Sequence, residues 1–190
     1  MWKKSLILIV LSIFLPSYLI SQNAIGFYEE HIDFNLNKEH FFINGIYSFC
    51  NNSKESANQH IIFPFAVKSS LVDSIGIIDL RSLKVIKYIV LDNAISFDLS
   101  IPPNDSLDIN IRYRQKSSDL NRYIITTTQL WDKPLDKAVY TLTSPKELTI
   151  ISFSYSPDSI KLIEDDKIYY WNESGFSPQF DFDIVVNNKK

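Results

Sequence analysis

Residues 95–114, which read ISFDLSIPPNDSLDINIRYR, decide the fold class. Apolar residues occupy every second position on both sides of a central Pro-Pro-Asn-Asp turn. A period of two puts one face of a strand in a core and the other in water, and branched and aromatic side chains suit a pleated surface. Residues 95–101 and 107–114 are therefore predicted to form two half-buried β-strands.

Similar strand patterns recur along most of the chain. They occur at 32–36, 41–49, 61–67, 75–80, 85–91, 123–128, 137–143, 148–155, 160–163, 167–171 and 180–186. We find no convincing amphipathic helix. The spacing predicts an all-β, antiparallel sandwich of about twelve short strands, either immunoglobulin-like or jelly-roll-like. A single unit over residues 22–190 is the preferred interpretation, and two abutting sandwiches divided near 115–120 are the alternative.

The beginning of the chain has the layout of a secretory signal peptide. Lys3 and Lys4 precede an apolar run over residues 5–20, and the small residue Ser21 suits a cleavage position. Pro16 interrupts the run, which is shorter than the roughly 20 apolar residues that span a bilayer. We expect residues 1–21 to be removed and the remainder to reach the periplasm, the cell surface or the medium, with no membrane span.

Charge and motifs disfavour several function classes. The net charge of -3 comes without a basic cluster, which argues against nucleic acid as a partner. Four scattered glycines cannot build a phosphate-binding loop. His31, His40 and His60 fit no zinc pattern, and Cys50 is predicted to be a small buried strand residue. We therefore expect no catalytic residue, no metal and no cofactor.

Two groups of carboxylates leave one alternative open. Asp181 and Asp183 project from the same face of a predicted strand, and residues 164–166 form an acidic turn. Either group could offer oxygen ligands to calcium, although neither has the ligand series of a known loop. Solvated side chains are the preferred interpretation of both groups.

Aromatic residues are the candidate binding residues. Tyr169 and Trp171 share one face of a predicted strand while Tyr170 points to the other, and Phe176 follows soon after. This cluster is the best candidate for an exposed contact surface. Trp131, three residues before Pro134, marks a corner that is either a packing anchor or a platform for ligand stacking.

Two segments resemble a family of uncharacterised secreted or periplasmic β-sandwich proteins of Gram-negative bacteria, a domain of unknown function. Residues 123–138, with YIITTT followed by W-x-x-P-L-x-x-A, resemble the family's run Y-I-L-T-T-G-x-x-W-x-x-P-I, although Thr128 stands where Gly is expected. Residues 171–184, with Phe176, Pro178, Asp181 and Phe182, are similar to the family's closing strand. The resemblance implies a fold and a compartment and brings no activity.

Three functions fit these observations. The first is a non-catalytic secreted or envelope-associated sandwich that contacts another envelope or secreted protein or gives structural support. The second is a carbohydrate-binding module in which Trp131, Tyr169 or Trp171 stack on the rings of a glycan. The third, ranked last, is a hydrolase that uses surface carboxylates, since fold alone never argues for an enzyme.

Overall fold

A computed structural model describes residues 24–131 and 133–187. The predicted signal segment 1–21 and Asp132 of the predicted corner lie outside the described residues. Within the described residues, two short 3₁₀ helices, Ser69–Leu71 and Thr126–Leu130, interrupt a succession of strands and connections. The strands are β1 (Ile25–Leu36), β2 (His40–Asn51), β3 (Ala57–Pro64), β4 (Val72–Asp79), β5 (Lys84–Val85), β6 (Ile89–Val90), β7 (Ala94–Ile101), β8 (Asp105–Lys116), β9 (Leu120–Tyr123), β10 (Leu135–Pro145), β11 (Thr149–Phe153), β12 (Ser159–Ile163), β13 (Asp166–Phe176) and β14 (Phe182–Asn187). The prediction of an all-β sandwich is confirmed.

The strands form one large sheet and two small ones. The large sheet has the order β12-β13-β10-β1-β2-β8-β4-β5, and the small sheets have the orders β11-β14-β9 and β3-β7-β6. Strands from both halves of the chain thus lie side by side in the large sheet. β1 pairs antiparallel with β2 but parallel with β10, from Glu29 opposite Lys137 to Asn35 opposite Thr143. This parallel pair departs from the all-antiparallel expectation.

Both small sheets cover the same face of the large sheet. Phe34 of β1 packs on Phe182 of β14 with ring centroids 5.1 Å apart. Tyr47 of β2 packs edge-on against Phe63 of β3 at 5.5 Å. His31 on the opposite face of β1 is exposed to solvent. The core therefore lies between eight strands on one side and two three-stranded sheets on the other.

The turn at residues 102–105 changes sheets instead of closing a hairpin. β7 and β8 confirm the two strands predicted from 95–114, but β7 pairs with β3 and β6 while β8 pairs with β2 and β4. Asn104 takes a φ of 51°. Asn tolerates this left-handed conformation better than most residues. The turn therefore joins two strands that belong to different sheets.

The strand predicted at 123–128 is wrong beyond Tyr123. One carboxylate oxygen of Asp181 accepts hydrogen bonds from the backbone N–H groups of Ile125 and Thr126 and from the Thr126 hydroxyl. These bonds offer the backbone an alternative to the sheet ladder. The chain accordingly leaves the sheet and forms the second 3₁₀ helix.

Other local predictions have mixed outcomes. The acidic turn predicted at 164–166 is confirmed and joins β12 to β13. Another short turn joins β4 to β5 in an antiparallel pair. The predicted strand at 85–91 divides into the two-residue strands β5 and β6, which belong to different sheets. Cys50 lies in a strand as predicted, but it is half-buried because its side chain is on the outer side of β2.

Candidate functional site

A β-bulge turns the carboxyl group of Glu30 into the core. The pairing between β1 and β2 shifts by one residue between Phe27 and Glu29, so that Tyr28 is the extra residue. Such a bulge changes which residues of a strand face a given side. Phe27 faces the core before it, and Glu30 and the even-numbered residues face the core after it. Glu30 is consequently only 4% exposed.

Three tyrosines surround the Glu30 carboxyl. The Tyr140 hydroxyl on β10 donates a hydrogen bond to Oε1, and the Tyr123 hydroxyl at the end of β9 donates to Oε2 at 3.3 Å. The Tyr47 hydroxyl on β2 lies 2.9 Å from the Tyr123 hydroxyl. Strands β1, β2, β9 and β10 therefore meet at one buried polar cluster, which we call the Glu30 cluster: Glu30, Tyr47, Tyr123 and Tyr140.

Burial dominates the electrostatics of this cluster. Loss of solvent raises the pKa of Glu30 to about 7, and the hydrogen bonds from Tyr140 and Tyr123 offset part of that increase. Burial also raises the pKa of the tyrosines well above its ordinary range. The tyrosines therefore remain hydrogen-bond donors near neutral pH, where Glu30 exchanges its proton.

A cavity of about 300 Å³ opens above the Glu30 cluster. Its floor contains Glu30, Tyr47 and Tyr123, one wall is residues 59–64 of β3, and the other wall follows residues 124–131. Apolar side chains dominate the lining, and aromatic rings are a large part of them. A concave, largely apolar site with a few convergent polar groups is typical of small-ligand pockets, and this volume is near the low end of their range.

Trp131 forms part of the cavity wall. Its ring lies 5.8 Å from Phe27 and 5.6 Å from Phe49, with the ring planes tilted by 58° and 54°. Trp131 is half-buried, so it both packs on the core and faces the opening. Leu130 beside it is 78% exposed and lies at the rim. The tilted rings form a pocket wall and not a flat stacking platform.

Gly45 makes room for the tyrosine at the cavity floor. A Cβ atom at position 45 would lie 2.6 Å from the ring and hydroxyl of Tyr47 and equally close to Cδ1 of Ile32. Side-chain atoms do not approach each other this closely in folded proteins. The lack of a side chain at Gly45 therefore allows the Tyr47 ring to reach Tyr123.

The predicted contact surface at Tyr169 and Trp171 is corrected by the structure. Trp171 is 1% exposed, and Tyr169 is buried beside it. The small sheet β11-β14-β9 covers this face: the Trp171 ring packs on Phe153 at 5.2 Å and on Phe182 at 5.0 Å. Neither Tyr169 nor Trp171 is available for stacking on a ligand.

Phe176 and Trp131 are the other two candidate binding residues. Phe176 is half-buried, and its ring centroid lies 6.3 Å from that of Tyr140 and 5.6 Å from that of Tyr155. Only Trp131 of the four predicted binding residues lines the cavity. The structure does not bring Trp131, Tyr169, Trp171 and Phe176 together into one surface.

The candidate calcium ligands have structural partners. Asp181 holds the turn after Tyr123, and Asp183 forms a two-point ion pair with the Arg122 guanidinium, at 2.6 and 2.7 Å. Across residues 24–131 and 133–187, no group of three His, Cys, Asp or Glu side chains could hold a metal ion. Within the same ranges, no helix is both long enough and apolar enough to cross a bilayer.

Sequence reasoning missed Glu30, although the sequence contains a signal for it. Ile25 and Phe27 are apolar at odd positions, whereas Ile32 and the next alternating apolar residues are at even positions. This change of phase falls at residues 28–30 and indicates a bulge. A carboxylate next to such a change can face inward, which simple alternation does not reveal.

Comparisons with known proteins support the fold. No protein-family model matches the sequence, and no curated protein matches it. The structure is similar to that of a proposed nutrient-binding protein from Legionella pneumophila, with a TM-score of 0.70 and 16% identity over 88% of this chain and 68% of that chain. It is also similar to an M1 zinc metallopeptidase from Deinococcus radiodurans, with a TM-score of 0.52 and 11% identity over 87% of this chain and 42% of that chain. The present chain thus spans less than half of the metallopeptidase.

Proposed function

We propose that this protein is an exported, non-catalytic β-sandwich that binds a small ligand in the cavity above the Glu30 cluster. The main support is the carboxyl of Glu30, which is buried, has only tyrosine hydroxyls as hydrogen-bond partners among the described residues, and lines an apolar cavity. Burying an ionisable carboxyl without a cation is costly. Groups with pKa values shifted in this way concentrate at functional sites.

Two further observations favour a binding role and export. The Legionella protein of similar fold is described as a nutrient binder, which supports binding by analogy of fold alone. The basic and apolar N-terminal segment, together with the resemblance to a secreted sandwich family, supports delivery to the periplasm, the cell surface or the medium.

A panel of small probes tests the cavity as a ligand site. Thermal unfolding of residues 22–190 is measured with neutral sugars, alcohols, carboxylates and amines, because a ligand that binds only the folded state raises the Tm. The variant Thr127→Trp adds a large ring at a half-buried cavity residue, and Thr149→Trp adds the same ring at an exposed position elsewhere.

At least one class of probe is expected to raise the Tm of the unmodified protein and of Thr149→Trp but not that of Thr127→Trp. If no class raises the Tm, or if Thr127→Trp responds as strongly as the control, the cavity is not the ligand site.

A second candidate function is contact with another envelope or secreted protein. β12 is an edge strand of the large sheet, and its Ile160 and Leu162 are 57% and 68% exposed. Exposed apolar edges of this kind favour pairing with another chain. Capture from an envelope extract should recover a defined partner with the unmodified protein and lose it with Leu162→Lys. Equal recovery with both proteins would contradict this role for β12.

A further inference from the structure

We infer that the cavity selects a small organic ammonium ion with a compact apolar or aromatic tail. This inference names the class of ligand for the proposed binding site and rests on that proposal. It follows from the acceptor groups at the floor, the charges around them and the aromatic rings of the walls.

The floor of the cavity has free capacity to accept hydrogen bonds. An ionised carboxylate offers about four acceptor positions. Glu30 uses two of them, for Tyr140 and for the longer bond from Tyr123. The Tyr123 hydroxyl donates its one proton to Glu30, so Tyr47 must be the donor in the hydrogen bond between the two tyrosines. The lone pairs of the Tyr47 hydroxyl then remain able to accept a hydrogen bond. An ammonium group is a donor only, so it matches these acceptors.

The charges around the floor also favour a cation. None of the lining residues, all of which the structure describes, is Lys or Arg. At the rim, His60 on β3 is hydrogen-bonded to Asp98 on β7 at 2.8 Å. Among the described residues, the titratable side chains that face Glu30 or its partners are all tyrosines: Tyr47 on β2, Tyr113 on β8, Tyr123 on β9, Tyr140 on β10 and Tyr155 after β11. A bound carboxylate would face Glu30 with no positive partner, whereas an ammonium ion would form the missing pair.

The walls suit the tail of such a ligand. Phe27 and Phe49 stack with their centroids 5.1 Å apart, and Trp131 closes the group at under 6 Å from both. Aromatic rings attract organic cations through their negative faces and bury apolar groups well. A volume of about 300 Å³ admits a ligand with one ring but excludes a long chain.

Pairing with an ammonium ion couples binding to the protonation of Glu30. Burial keeps the pKa of this carboxyl at about 7 in the empty cavity. The ammonium ion binds the ionised form, so binding below pH 7 releases a proton. Its affinity should therefore increase about tenfold between pH 6 and pH 8, while a neutral ligand of the same shape should show little change.

Titration calorimetry with matched probes tests the inference. The probes are 2-phenylethylamine, which is an ammonium ion at both pH values, the neutral 2-phenylethanol and the anion 3-phenylpropionate. The unmodified protein is compared with Glu30→Gln, which removes the charge, and with Glu29→Gln. The latter is a matched control because Glu29 does not line the cavity.

The amine is expected to bind at least tenfold more tightly than the alcohol at pH 8 and to lose about tenfold in affinity at pH 6. Proton release should be measurable at pH 6 in two buffers of different ionisation enthalpy. Glu29→Gln should retain both effects, and Glu30→Gln should lose them. The proton release of the unmodified protein remains a decisive measurement even if Glu30→Gln folds poorly.

Equal affinity for the amine and the alcohol, or amine binding without proton release, would overturn the inference. If the alcohol or a sugar binds in the cavity and Thr127→Trp abolishes that binding, the ligand-site proposal stands and only the ammonium assignment fails. If no probe of any class binds, both proposals fail.

Discussion

Two aromatic groups lie in this core, one around Trp171 and one around Trp131, and only the second has an opening. Trp171 is enclosed by Phe153 and Phe182, and its indole N–H donates to the Tyr155 carbonyl at 2.9 Å. Trp131 is half-buried and faces a cavity with a carboxyl at its floor. Both groups consist of a tryptophan and neighbouring phenylalanines. The neighbouring backbone differs, since a strand covers Trp171 whereas the chain leaves the sheet between Tyr123 and Trp131.

The largest expected effect separates the two tryptophans. Trp171→Ala should lower the free energy of unfolding by about 3–5 kcal/mol, because it leaves a cavity in a closed core and removes a buried hydrogen bond. Trp131→Ala should lower the free energy of unfolding by less than Trp171→Ala does, and it should weaken ligand binding. Urea denaturation of both variants measures the difference. Equal losses would show that the two aromatic groups are equally part of the core.

The second largest expected effect tests the role of the buried Glu30 carboxyl. The pKa of Glu30 is raised from 4.5 when unfolded to about 7 when folded, so the folded state binds the proton more tightly. The associated stability is present below pH 4.5 and is lost as the pH rises to 7, by about 3 kcal/mol. Glu30→Gln should not show this loss. Its free energy of unfolding should therefore increase relative to that of the unmodified protein between pH 5 and pH 8.

Urea denaturation at several pH values measures this change, with Glu29→Gln as the control that should follow the unmodified protein. Parallel curves for Glu30→Gln and the unmodified protein would mean that folding does not raise the pKa of Glu30, contrary to its burial.

The smallest expected effect concerns the space beneath Tyr47. Gly45→Ala should lower the free energy of unfolding by about 1–3 kcal/mol through overpacking against the Tyr47 ring, and it should also weaken binding in the cavity. Gly26→Ala in the adjacent strand is the matched control, since its added Cβ would meet only Sγ of Cys50 at 3.4 Å. Thermal unfolding of the two variants should differ. Similar values would mean that the Tyr47 ring moves aside easily.

The strands can be predicted from the local sequence, because the alternation of apolar and polar residues is a property of each segment by itself. β7 and β8 follow from residues 95–114 alone, and the short turn at 164–166 follows from its acidic residues. The sheet to which a strand belongs depends on distant pairing, so the change of sheets at Asn104 could not be derived. The parallel pairing of β1 with β10 is hidden for the same reason.

The candidate site was less predictable because it depends on what covers each residue. Nothing near Tyr169 in the sequence shows that the last strand, β14, lies over the face of β13. Likewise, the pattern at 123–128 favours a strand, and only the distant Asp181 draws these amides out of the ladder. The bulge at Tyr28 was the one local signal of the cavity, through the change of phase on either side of it.

The parallel neighbours β1 and β10 also determine when the floor of the cavity can be completed during folding. Glu30 and Tyr140 are 110 residues apart in the chain, so their contact closes a very long loop. Assembly of such distant contacts is slow, and an early strand without its neighbour leaves an open edge that can recruit other chains. The floor of the cavity is therefore complete only after β10 has joined β1, and that edge of β1 stays open until then.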